Sequence, residues 1–252
     1  MGKIFIIGGG EIKNFETYPF DKQIVKFTGK SSLKALFIPT ASGEAEAYID
    51  TFNRVYGEKL GCQTRTLRLI KDEYTDSRLK DIVLSSDLIY VGGGNTRMMM
   101  QTWKSHSLGE ILKTAYEQDI VLSGLSAGGI CWFEAGYSDS EKFSDPDNWD
   151  FITVKGLGLI KGTHCPHYDE EVYQLGKPVS KKSKFKAYIK DTQSLGIALE
   201  DLTALQILND QYRIHTLNEN KAYRLHSNAG QVTQNVIPSQ SKYQPLNNLY
   251  KF

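Results

Sequence analysis

A serine between two glycines is the feature of this sequence best suited to chemistry. Gly124-Leu125-Ser126-Ala127-Gly128 follows the apolar run Ile120–Leu122 and precedes an apolar segment that reads as a helix. A strand that enters G-x-S-x-G and leaves as a helix is typical of a nucleophile elbow, whose tight turn exposes the serine hydroxyl. We therefore predict that Ser126 is a nucleophile. The alternative is a glycine turn that only joins a strand to a helix.

A serine nucleophile needs a general base and N–H donors for the oxyanion. Two of the five histidines, His164 and His167, lie in one loop after a predicted strand, and Pro166 restrains the backbone between them. Such loops commonly carry catalytic groups on a rigid scaffold. The other three histidines are His106, His215 and His226.

The oxyanion donors are predicted from the backbone. The N–H of Ala127 directly follows the nucleophile, and the glycine turn that contains Gly93 and Gly94 follows a neighbouring predicted strand. Glycines in that turn would let the backbone come close to a substrate carbonyl.

Predicted strands and helices alternate through the first half of the chain. Short β-branched or apolar runs such as residues 3–7 and 87–91 are separated by segments of helical spacing such as residues 45–60. This order predicts right-handed βαβ units and an α/β fold with a mostly parallel sheet. From residue 195 onward short strands separated by Asn/Asp turns follow. No linker is evident, so we predict one domain over residues 1–252.

Bulk composition excludes several classes of protein. The 252 residues include 30 basic and 29 acidic side chains, a net charge of +1 that does not favour nucleic acid. No apolar run approaches the ~20 residues of a membrane span. Three widely spaced cysteines, Cys62, Cys131 and Cys165, suit a reducing compartment. We predict a cytoplasmic protein that binds neither nucleic acid nor membrane. The oligomeric state stays undetermined.

Four features together resemble the peptidase E family of aspartyl-dipeptidase-like serine peptidases, whose relatives include the cyanophycinases. They are the glycine turn Val91–Thr96, the elbow at Ser126, the triplet Pro166-His167-Tyr168, and an acidic residue within 197–205. The resemblance implies a Rossmann-like sheet sandwiched by helices, akin to the glutamine amidotransferases. It also implies a small peptide substrate, no cofactor, and a Ser-His-acid triad with Ser126 and His167.

The acid of the implied triad has three candidates. Ungapped comparison with the family pattern puts the family's glutamate on Asp201, with Glu200 beside it, and Asp139 follows the elbow. We favour Asp201.

The resemblance also implies a substrate-binding arginine downstream of the histidine, where this chain has lysines. Lys181 and Lys184 stand in that region, and we assign Asn95 to substrate binding as well. Lysine keeps the charge but lacks the two-pronged geometry of arginine. We therefore predict a relaxed preference for an acidic residue on the N-terminal side of the cleaved bond. The alternative is that these lysines only solvate a helix.

Other readings of the same motifs are weaker. His164-x-x-His167 with Cys165 could ligate a metal, but the proline-containing loop is unlike a helical zinc motif, and we predict no metal. The turns Gly8–Gly10 and Gly92–Gly94 do not continue as G-x-G-x-x-G. A ligand-binding protein without catalysis and a nucleotide-dependent enzyme are the alternative functions.

Overall fold

The computed structural model describes residues 2–174 and 176–252. Its strands are β1 Lys3–Ile7, β2 Lys34–Ile38, β3 Gln63–Thr66, β4 Leu88–Val91, β5 Val121–Leu125, β6 Phe133–Ser138, β7 Ile152–Lys155, β8 Ile160–Cys165, β9 Glu171–Gln174, β10 Lys177–Ser180, β11 Gly196–Leu199, β12 Thr203–Leu208, β13 Gln211–Thr216, β14 Ala222–Asn228, β15 Gln231–Ile237 and β16 Gln244–Pro245. Its α-helices are α1 Tyr18–Thr28, α2 Glu46–Phe52, α3 Asp76–Leu84, α4 Thr96–Ser105, α5 Leu108–Glu117, α6 Ala127–Ile130 and α7 Lys181–Thr192. A π-helix, Asn53–Lys59, continues α2, and short 3-10 turns cover Ile12–Asn14, Thr40–Ser42, Ser140–Phe143 and Leu246–Tyr250.

The larger sheet has eight strands in the order β16-β13-β12-β1-β5-β4-β2-β3. Strands β1, β5, β4, β2 and β3 run parallel, whereas β12, β13 and β16 extend the sheet beyond β1 through successive antiparallel pairings. The predicted α/β fold with a mostly parallel sheet and additional C-terminal strands is confirmed.

A second sheet of six strands, in the order β15-β14-β11-β8-β6-β7, was not foreseen as a separate layer. It arises because the chain leaves the elbow differently from the prediction. The helix α6 is only one turn long, and the chain then enters β6. The pair Gly128-Gly129 is a poor helix former, whereas Phe133 and Tyr137 are aromatic residues that favour strands.

One apolar cluster lies between the two sheets. It joins Ile4 and Leu122 of the larger sheet to Ile160 and Ile197 of the smaller one, and Trp103 and Trp132 pack within it. A second cluster covers the other face of the larger sheet under α1 and α2. Because both faces are buried, the central strands read as continuous apolar runs. The shared cluster supports one domain, which stays a prediction.

The parallel strands end at one edge of the larger sheet, where ligands commonly bind in such folds. Strands β1, β4 and β5 run directly into Gly8, Gly92 and Ser126. This edge therefore gathers the predicted chemistry. No α-helix in the described part of the chain is long and apolar enough to cross a bilayer.

Candidate active site

Ser126 occupies a strained turn between β5 and α6. Its backbone angles are φ 54° and ψ −111°, outside the regions that side-chain-bearing residues favour. The turn closes only because Gly124 and Gly128 touch: a Cβ on Gly124 would lie 2.1 Å from the Gly128 carbonyl oxygen. Strain of this kind is maintained at sites where a side chain must be presented. The geometry matches a nucleophile elbow.

His167 is paired with Asp201. The His167 Nδ1–H donates to Asp201 Oδ1 over 2.6 Å, and the two side chains are 28% and 44% exposed. Because Nδ1 is used in this bond, Nε2 is the ring nitrogen left for another partner. Burial opposes ionisation of Asp201, but the hydrogen bond from His167 and the charges of His167 and Lys181 outweigh it and lower the pKa of this carboxyl. Asp201 is thus held as a carboxylate.

The glycines after β1 form the platform on which this pair rests. The Gly8 carbonyl accepts from the His167 N–H at 3.2 Å, and the Gly9 carbonyl accepts from the Leu202 N–H at 3.0 Å. A Cβ on Gly9 would lie 1.9 Å from Asp201 Oδ1 and 2.3 Å from His167 Nδ1. Sequence reasoning missed this role, although three consecutive glycines at a strand end were the available signal. The space beside Gly9 is filled by the chain's own side chains rather than open for a phosphate.

Gly9→Ala is therefore expected to separate His167 from Asp201. The added methyl group cannot fit, and displacements of about 1 Å at a catalytic group can cost ~100-fold in rate. We expect kcat/KM on a peptide substrate to fall at least ~100-fold. The matched control is Gly57→Ala, where an added Cβ would meet nothing closer than Thr64 at 3.5 Å, so this change should leave activity intact. Near wild-type kcat/KM in Gly9→Ala would contradict this packing.

The other two candidate acids have different partners. Glu200 accepts from the Lys221 N–H at 2.7 Å and from the Tyr223 hydroxyl at 2.8 Å, so its carboxylate ties neighbouring strands together. Asp139 pairs with Lys142. Of the three, Asp201 is the one bonded to His167. Its role as the triad acid stays a prediction.

His164 does not share the environment of His167. Its ring stacks on Phe133 with centroids 4.7 Å apart, and Nδ1–H donates to the Ile197 carbonyl at 3.0 Å. Complete burial lowers its pKa to about 3, so the ring stays neutral. Among the described residues, no group of three or more His, Cys, Asp or Glu side chains is arranged to hold a metal ion.

The predicted oxyanion donors lie around Ser126. Ala127 is the first residue of α6, so its N–H has no acceptor within the helix. The Gly93 N–H donates to the hydroxyl of Tyr48 at 3.3 Å. Gly94 has φ 134° and packs against Ala41, whose carbonyl oxygen would lie 2.3 Å from an added Cβ.

The predicted substrate-binding side chains already have partners. The Asn95 side-chain oxygen accepts from the Met98 N–H at 3.0 Å and caps α4. Lys181 is 2% exposed and its Nζ lies 3.2 Å from Glu170, while Lys184 lies 3.2 Å from Asp150. None of the three is among the described residues that line the cleft beside Ser126. Their role in substrate binding stays a prediction, and these contacts count against a direct one.

The cleft has a volume of about 540 Å³, enough for a small peptide. It is lined by Glu11, Lys13, Tyr48, Gly93, Gly94, Ser126, Asp139, Lys142, His167 and Glu170, among others. The structure thus brings Ser126 and His167 into one cleft, with Asp201 bonded to the histidine from behind. Among the described residues, the lysines that line this cleft are Lys13 and Lys142.

Comparison with known proteins gives this arrangement a family context. The profile of peptidase family S51 matches residues 4–215. The chain is 33% identical over 245 residues to the "Uncharacterized peptidase YgaJ" of Bacillus subtilis (strain 168), covering 94% of this chain and 98% of that protein.

Solved structures share the fold. The crystal structure of a peptidase from an acI-B1 Actinobacterium matches with a TM-score of 0.68 at 19% identity, over 97% of both chains. A putative peptidase E protein from Listeria monocytogenes EGD-e matches with a TM-score of 0.63 at 18% identity, over 86% of this chain and 100% of that one. At these identities the likeness establishes the architecture.

Proposed function

Because the chain belongs to peptidase family S51, we propose that it is a serine-type peptidase that cleaves small peptides with Ser126, His167 and Asp201. The resemblance to the peptidase E family is confirmed, and the protein is a peptidase. The observation that carries the serine mechanism is the His167–Asp201 pair at a cleft that also contains the strained Ser126.

In the proposed reaction, His167 Nε2 takes the proton of the Ser126 hydroxyl as Ser126 Oγ attacks the peptide carbonyl carbon. Backbone and side-chain donors stabilise the resulting oxyanion. The C–N bond then breaks, His167 gives the proton to the leaving amine, and an ester to Ser126 remains. Water, deprotonated by His167, attacks the ester carbonyl; the bond to Ser126 Oγ then breaks, His167 returns the proton to Ser126 Oγ, and the acid is released. Asp201 holds the imidazole tautomer and stabilises its charge.

Among the hydrogen bonds of the described residues, none joins Ser126 Oγ to His167. Catalytic hydrogen bonds are often long before substrate binds. The proposal therefore requires this contact to close in the substrate complex.

The experiment that tests the proposal is hydrolysis of a dipeptide library by the wild type and by Ser126→Ala. We expect measurable turnover of a subset of dipeptides by the wild type and loss of that turnover in the variant. Turnover that survives in Ser126→Ala, or no turnover of any dipeptide or small peptide by the wild type, would overturn the proposal.

A preference for an acidic residue on the N-terminal side of the cleaved bond is the finer part of the proposal. Lys142 lines the cleft and Lys184 does not, so a cation that attracts a substrate carboxylate is better supplied by Lys142. Lys142 already forms an ion pair with Asp139. A lysine that is paired in this way attracts a substrate carboxylate less strongly than an unpaired arginine, which can bind a carboxylate through two parallel hydrogen bonds. The preference should therefore be modest.

We expect the ratio of kcat/KM for Asp-X over Ala-X dipeptides to exceed one, and to fall several-fold in Lys142→Met. Lys184→Met is the matched control, because it removes a lysine bonded to Asp150 outside the cleft. The same measurement on Glu-X and Asn-X dipeptides separates the effect of the substrate side chain's charge from the effect of its size. If Lys184→Met lowers the ratio and Lys142→Met does not, the original assignment from sequence is correct and this one is wrong.

A further inference from the structure

Tyr48 has a position in the cleft that the sequence did not indicate. It lies in the first turn of α2, and its side chain lines the cleft together with Ser126 and Gly93. The ring makes an edge-to-face contact with Phe37, with centroids 5.1 Å apart. It also lies so close to Gly92 that a Cβ there would be 2.9 Å from Tyr48 Cε1. The phenol is therefore held in place before any substrate arrives.

The direction of its hydrogen bond matters. A backbone N–H can only donate, so the Tyr48 oxygen accepts from Gly93 at 3.3 Å. The hydroxyl proton of Tyr48 is then free to be donated elsewhere, and within the described part of the chain no acceptor takes it. Burial raises the pKa of Tyr48, and the hydrogen bond from the Gly93 N–H offsets this only in part. The phenol therefore keeps its proton at ordinary pH.

The hydrogen bond from the Gly93 N–H to Tyr48 affects which of the two groups can donate to a substrate. The Gly93 N–H is not free to meet a substrate oxygen while Tyr48 covers it. Donation from Gly93 polarises the Tyr48 O–H bond, and a hydroxyl that accepts one hydrogen bond is a better donor in the next. Tyrosine hydroxyls are among the side-chain groups that stabilise developing oxyanions in enzymes.

We propose, on the premise of the serine mechanism above, that Tyr48 donates its hydroxyl proton in a hydrogen bond to the oxyanion formed when Ser126 attacks. The oxyanion hole then consists of the Ala127 N–H and the Tyr48 O–H, with the Gly93 N–H supporting the tyrosine from behind. No proton is transferred in this contact. This assignment replaces Gly93 as a direct donor and adds a catalytic residue from α2.

The test is the variant Tyr48→Phe, which removes the hydroxyl and keeps the ring. Loss of one oxyanion donor costs about 10²–10³ in kcat. We expect a decrease of that size in kcat with KM changed no more than a few-fold, at an unchanged melting temperature. A peptide aldehyde, whose adduct with Ser126 carries the same oxygen, should bind more weakly by a comparable factor.

Tyr90→Phe is the matched control. Tyr90 belongs to the same aromatic cluster, with its ring 6.1 Å from Phe37, and its buried hydroxyl has no partner among the described residues. It does not line the cleft within the described part of the chain, so its loss should leave kcat unchanged.

Two results separate this inference from the proposed function. An unchanged or increased kcat in Tyr48→Phe, with Ser126→Ala inactive, would overturn the inference and leave the serine mechanism standing. In that case the Gly93 N–H is the donor and Tyr48 only covers it. A wild type without peptidase activity that depends on Ser126 would overturn both.

Discussion

Peptide hydrolysis is expected to fall by at least ~10⁴-fold when either Ser126 or His167 is replaced by alanine, because the members of such a unit act together. For the same reason the double variant should be scarcely slower than either single variant. The measurement is kcat on the best dipeptide of the library for Ser126→Ala, His167→Ala and the double variant. In the proposed mechanism Ser126 supplies the attacking oxygen. His167 is the one histidine among the described residues that line the cleft, and its Nδ1 is bonded to Asp201.

His164 provides the internal comparison for this result. Its ring is fully buried against Phe133, and burial lowers its pKa far below neutrality, so it is a poor base for the serine proton. If the kcat of His167→Ala stays within tenfold of the wild type while a folded His164→Ala variant is inactive, then His164 rather than His167 is the base. Approximately additive losses in the double variant would argue against a shared unit.

Asp201→Asn is expected to lower kcat by ~10⁴-fold while the protein stays folded. An amide in place of the carboxylate can hold the wrong imidazole tautomer and does not stabilise the imidazolium. The variant should keep the wild-type melting temperature to within a few degrees, because Asp201 is partly exposed in the turn between β11 and β12. Activity and thermal unfolding are measured on the same preparation.

Glu200→Gln and Asp139→Asn are the matched controls for this variant. Glu200 bonds to Lys221 and Tyr223, and Asp139 bonds to Lys142, so neither supports His167. We expect both controls to stay within about tenfold of the wild type, a far smaller loss than that of Asp201→Asn. Full activity in Asp201→Asn with loss in either control would reassign the acid.

The sequence predicted those parts of the site that depend on local geometry. The elbow could be predicted because Gly124, Ser126 and Gly128 lie in one short turn, where a Cβ on either glycine would clash with nearby backbone. The alternation of strands and helices likewise follows from local periodicity. His167 and Asp201 were assigned by resemblance, since nothing in their immediate sequence states that their side chains meet.

Contacts between distant segments account for what the sequence did not predict. Gly9 makes room for side chains of two other loops, and Tyr48 meets Gly93 only because β2 and β4 are neighbours in the sheet. Lys181 was predicted to bind the substrate, yet the fold buries its side chain against Glu170. The second sheet was not predicted because the sequence after Ser126 begins like a longer helix. In the structure this helix, α6, ends after one turn and the chain continues as β6.

Ser126 is proposed to be a nucleophile that His167 activates. Labelling with a fluorophosphonate, followed by intact-protein and peptide mass spectrometry, tests this proposal. We expect one adduct, located on Ser126, that is absent in Ser126→Ala and forms far more slowly in His167→Ala. An adduct on another residue, or labelling of Ser126 at the same rate without His167, would contradict the account.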